Sequence, residues 1–146
     1  MTAPSILNRL LRDSSGSTII EFALIGPVMI GMMLGALQLG VGMHGYNAMR
    51  SASADVARYA TVQYQTKNNL TNSQIRAYAQ LVLTRAPYGL SSDDVGVTVV
   101  NAATQRVAGA KELTLTYTYR VPNLLTMLSQ REINLTYARP IFVITS

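Results

Sequence analysis

From Phe22 to Met43 the sequence carries no charged side chain, and only Gln38 is strongly polar. As an α-helix this run rises about 33 Å, close to the ~30 Å hydrocarbon core of a bilayer. A soluble core helix of that length carries a polar stripe, and none is present here. The run therefore predicts a transmembrane helix. A cleaved secretory signal fits poorly, because its apolar region spans only about 7–15 residues before a small-residue cut site. Here the apolar run is longer and passes into an Ala-rich helical pattern. Arg9 and Arg12 on the short N-terminal side favour a cytoplasmic N-terminus. The bulk of the chain is then expected outside the inner membrane.

Between Asp13 and Arg50 the one charged residue is Glu21, at the mouth of the apolar run. Placing a carboxylate in hydrocarbon costs a few kcal/mol even on lenient scales, so Glu21 is expected to serve a function. Further along, Gly31, Gly35, Gln38 and Gly42 fall on one helical face. Gly31 and Gly35 form a small-xxx-small pair that lets a second helix approach closely, which predicts a helix-packing face. Pro27 removes a backbone donor and predicts a bend near the cytoplasmic end.

Beyond the span, Gly45 to Gln65 keeps a helical period. Ala48, Ala52, Val56, Tyr59 and Gln63 share one face; Arg50, Ala54, Ala57 and Arg58 lie roughly opposite. Asp55 is placed to pair with Arg58 or to brace the turn. Lys67 to Asn72 breaks the helix, and Thr71 with Gln74 resembles a capping box opening a second helix from about Asn72 to Ala86. Its apolar face is Ile75, Tyr78, Ala79 and Val82, and Pro87 with Gly89 ends it. The period then changes to that of a strand. Val95, Val97 and Val99 alternate with small or polar residues. The same alternation recurs from Leu113 to Val121 and through Ile133, Leu135 and Tyr137, as half-buried antiparallel strands require. The expected fold is α+β: a long N-terminal helix, transmembrane then amphipathic, a second helix, and a small antiparallel sheet of three or more strands.

The turn after Val121 is apolar where loops are normally polar. Leu124, Leu125, Met127 and Leu128 either form a short helix tucked under the sheet or offer a contact surface to a partner or the membrane.

Catalytic signatures are missing from the sequence. Without cysteine there is no disulfide framework and no cysteine zinc site. His44 is the single histidine and falls at the outer end of the span. Asp93 and Asp94 sit in a Ser/Asp turn cluster that capping explains. No phosphate loop, nucleophile elbow or metal-spaced His pair occurs, so no enzyme activity, cofactor, metal or small-molecule substrate is expected. The net charge of +5 is spread over Lys and Arg from Arg9 to Arg139 with no basic block, so no nucleic-acid partner is expected either.

Gly16 followed by Glu21-Phe22, behind a short basic leader, resembles the processing site of type IV prepilins. More narrowly, residues 16–27 (Gly-Ser-Thr-Ile-Ile-Glu-Phe-Ala-Leu-Ile-Gly-Pro) resemble the start of TadE-like proteins, minor pilins or pseudopilins of tight-adherence (Flp) pilus systems. Ala57-Arg58-Tyr59-Ala60 resembles the small-residue helix that follows the span in that family. The resemblance implies cleavage by prepilin peptidase after Gly16, a mature start at Ser17, and pairing of Glu21 with the new amine. Burying both charges together avoids the penalty of burying either alone. It implies a leader over 1–16, a transmembrane helix over 17–45 and an exported head over 46–146. The implied partners are the peptidase, other pilin or minor pilin subunits and the inner membrane. Unlike the commoner type IV pilins, the chain lacks Phe or Met after the glycine and a C-terminal disulfide pair. The alternative is an uncleaved single-pass membrane adaptor of a secretion or pilus-assembly machine.

Overall fold

The computed structural model describes residues 15–124 and 132–144. The apolar run and the amphipathic rod form one helix, α1, Ser15–Gln65, which continues through Pro27. Its 51 residues reach about 76 Å at the standard rise. After the turn at Lys67, where φ is +61°, comes α2, Asn72–Thr84. The strands are β1, Val95–Asn101, β2, Ala110–Val121, and β3, Ile133–Ile144. They form one antiparallel sheet in the order β1-β2-β3. The architecture is the α+β arrangement that the sequence pattern predicts.

The capping box forms as its residue types require. The Gln74 backbone N–H donates to Thr71 Oγ1 at 3.3 Å, and the Thr71 N–H donates to Gln74 Oε1 at 2.8 Å. α2 stops at Thr84 rather than Ala86, with Arg85 already extended. The residue before a proline is pushed away from helical angles, and Pro87 places Ala86 in that position. Leu83 joins Ile75 and Ala79 in the core, while Tyr78 and Val82 are half-buried.

All three strands turn one face towards the helices. Val97, Tyr117 and Tyr137 align across the sheet in register. The buried apolar residues of β2 are those expected, Leu113, Leu115, Tyr117, Tyr119 and Val121. β3 runs on to Ile144, and its deepest residues are Ile141 and Val143 rather than Ile133. Pro140 obscures that continuation in the sequence; on an edge strand it is tolerated.

α1 lies over β2 and β3, and α2 lies over β1. The buried face of α1 is Ala48, Met49, Ala52, Ser53, Val56, Ala60 and Tyr64, with Tyr59 and Gln63 only half-buried. Small residues set how near the helix comes. A Cβ on Gly45 would run into the Tyr119 ring. Ser53 is buried without cost because its hydroxyl donates to the Arg50 carbonyl at 2.6 Å. Stacked Tyr59 and Tyr78, 3.9 Å between ring centroids, tie α1 to α2. Asp55 makes a different bond from the expected Arg58 pair: it accepts from the Tyr88 hydroxyl at 2.8 Å. Burial first, and then that bond, push the Tyr88 hydroxyl pKa up.

The far side of the sheet is closed at one end by the β1–β2 connection. Glu112 is buried there, held by Arg106 through Nε at 2.9 Å and through Nη2. Hydrogen bonding by Arg106 is the leading cause that lowers the Glu112 pKa, against burial. The other charged cluster, Arg120 with Asp94 at 3.0 Å and Glu132 at 3.8 Å, is exposed, and pairs of that kind contribute little.

Candidate functional site

Among the described residues, nothing buries the first half of α1. No residue from Thr18 to Leu37 is buried, and Phe22 and Leu24 are 78% and 76% exposed. An apolar cylinder of this kind in water would expose far more contiguous hydrophobic surface than a soluble monomer tolerates. Among the described residues this is one helix long and apolar enough to cross a membrane.

Glu21 is exposed on this bare stretch. Gly16 and Ser17 lie in the opening turns of α1, and residues 1–14 of the expected leader are outside the described residues. On the glycine face, a Cβ at Gly31, Gly35 or Gly42 would meet nothing within 4 Å, so that face is open.

Gln38 is the exception, and the structure gives its amide specific work. It is 6% exposed. Its Nε2 donates to the Pro122 carbonyl at 3.0 Å, and its Oε1 accepts from the Leu124 N–H at 2.8 Å. Both backbone groups belong to the segment leaving β2, where ladder partners have run out. A primary amide offers one donor side and one acceptor side, and here both are used. The head thus grips α1 at a point inside the apolar run, about 7–8 Å before Met43 along the helix axis.

Beside this clamp is an apolar groove of about 290 Å³ between α1 and the start of β3, lined by Leu39, Gly42, Met43, Val121, Ile133 and Leu135 among others. Tyr46 and Tyr137 meet edge to face, 5.7 Å between centroids, and Tyr46 also lines the groove. Leu124, on the candidate contact turn, is 42% exposed; Leu125, Met127 and Leu128 lie outside the described residues.

The remaining polar candidates do not converge. His44 is exposed beside Asn47, Pro87 and Tyr88. Asp93 is exposed and Asp94 is engaged by Arg120. Among the described residues no three His, Asp or Glu side chains cluster as metal ligands would. The clamp and the groove carry no signal in the sequence beyond one lone amide in an apolar run, because their other halves lie more than eighty residues away.

The family model for TadE-like proteins matches residues 16–58. The match begins at Gly16, takes in Glu21, the whole apolar run and the clamp residue, and ends among the buried turns of the head. The likeness is to TadE-like proteins and covers this N-terminal segment alone. No curated protein matches the chain, and no solved structure does.

Proposed function

We propose that this chain is a minor pilin or pseudopilin-like subunit for assembly of a tight-adherence pilus. In this reading prepilin peptidase cuts after Gly16, and the mature chain begins at Ser17. The apolar half of α1 holds it in the bacterial inner membrane, leader side cytoplasmic and head outside, until it joins other pilin or minor pilin subunits. The observation that carries the reading is the bare apolar half of α1 with Glu21 at its start, within the matched segment.

A helix that serves only as an anchor gains nothing from a carboxylate in its first turns. A subunit that transfers from lipid into a bundle of like helices gains a polar mark with which the amine freed by cleavage can pair. The Ser17 amine does not exist before the cut. Once freed, it neutralises Glu21 on its own chain or on a neighbour, in surroundings where either charge alone is strongly penalised. The open face of Gly31, Gly35 and Gly42 supports close approach of another helix.

The test is Glu21→Leu in the producing cell. The substitution strengthens simple membrane anchoring by removing the charge. The proposal expects normal membrane levels of the protein and loss of pilus assembly. Normal piliation together with normal protein levels would instead support the uncleaved membrane adaptor.

A further inference from the structure

We propose that the head does not stand clear of the bilayer but is seated in it, with acyl chains of the adjoining leaflet occupying the groove between α1 and β3. The inference rests on the reading that α1 spans a membrane.

The depth of the seat follows from Gln38. Its two hydrogen bonds fix Pro122 and Leu124 against a part of α1 that lies within the charge-free run. If that run fills the hydrocarbon, the end of β2 cannot lie above the membrane surface. Irregular backbone at such depth is tolerated only where its polar groups are satisfied. Here the Pro122 carbonyl and the Leu124 N–H are both satisfied by the Gln38 amide, and Pro122 has no N–H to satisfy.

The groove's surface matches that depth. Leu39 and Met43 are 71% and 67% exposed on the helix side, and Ile133 is 45% exposed on the sheet side. They continue the bare apolar surface of the span towards the head, with Gln38 and Asn47 the polar members of the groove's lining. Lipid that contacts the span therefore contacts the groove as well. Tyr46 lines the groove and is braced by the edge of Tyr137, and tyrosine favours the level of the headgroups. The depth is also bounded. Arg120 and Glu132 pair at the same end of the sheet and are exposed; in the register they flank Val121 and Ile133, so this end of the sheet sits no deeper than the boundary between hydrocarbon and headgroups.

The sequence contains no cysteine, so single-cysteine variants report one site each. Full-length Leu124→Cys, Ile133→Cys, Ile30→Cys and Val107→Cys would be labelled with an environment-sensitive dye in vesicles of phosphatidylethanolamine and phosphatidylglycerol. Quenching by acyl-chain nitroxide lipid would be compared with quenching by aqueous iodide. Positions 124 and 133 are expected to follow position 30, quenched several-fold more by the lipid than by iodide, with position 107 reversed. Adding Gln38→Leu should release position 124 to iodide while position 30 stays in lipid. If 124 and 133 follow 107 while 30 is lipid-quenched, the span stands and the seated head is wrong. If 30 itself is quenched by iodide, the membrane reading fails and takes the seat with it. Shielding of 124 and 133 from both quenchers would mean that a second copy, not lipid, covers the groove.

Discussion

Met33 and Met49 are the same residue type on the same uninterrupted helix, yet the first is 59% exposed and the second fully buried. The backbone is alike at both places, so side-chain size and neighbours make the difference. Around Met49 the helix presents Gly45, Ala48, Ala52 and Ser53, and the sheet closes on them until Tyr119 touches the Gly45 backbone region. Around Met33 bulky residues such as Ile30, Met32 and Leu37 are more than half exposed. One half of α1 is shaped to be covered by its own head. The other half is shaped for a cover that the described residues do not supply, as the proposed function expects.

Matched substitutions in the two halves would break that comparison if it is wrong. Met49→Ala should cost the head about 2–5 kcal/mol, as truncation of fully buried side chains does. Met33→Ala should change head stability by no more than about 0.5 kcal/mol, as surface substitutions do. Thermal unfolding in detergent, followed by the sheet's circular dichroism, checks both, and similar Tm losses would refute the division. Next in size is Gly45→Val, which forces a side chain into the Tyr119 ring and should destabilise by about 1–3 kcal/mol. Gly35→Val, at an open position, should leave the head's Tm in place and weaken helix–helix association, read by cross-linking of neighbouring subunits in the membrane.

Two smaller effects sharpen the boundary by acting on the head alone. Thr71→Ala removes the α2 cap and should lower head stability by about 1 kcal/mol without altering membrane insertion. The smallest effect is that of pH. Arg106 lowers the pKa of Glu112 in the folded state relative to the unfolded chain. The stability this gives is present above the ordinary carboxylate range and is lost as pH falls through the lowered pKa. Glu112→Gln should therefore flatten part of the acid-side slope of head stability, measured by denaturant titration at several pH values.

Much of this division is legible in the sequence. The charge-free run, the Thr71–Gln74 cap and the alternation from Leu113 to Val121 each follow from local residue order, and the structure contains all three. What local order does not reveal is where the head begins to hold the helix. The sequence divides span from head after residue 45, while burial along α1 starts at Gln38, because the end of β2 reaches back to it. Asp55 is similar: the neighbouring Arg58 is the obvious partner, while the actual one, Tyr88, is brought by the chain reversal after α2. Long-range pairings of single polar groups leave no period to detect. The extension of β3 past Pro140 is hidden for a different reason, since proline is ordinarily a strand breaker and only edge position excuses it.

The most direct test of the proposed function is the N-terminal sequence of the protein recovered from native membranes in cells that contain prepilin peptidase. A start at Ser17 is expected, and it would make Glu21 the neighbour of a newly formed amine. A start at Met1 or Thr2 would contradict the account and leave the chain an uncleaved membrane adaptor.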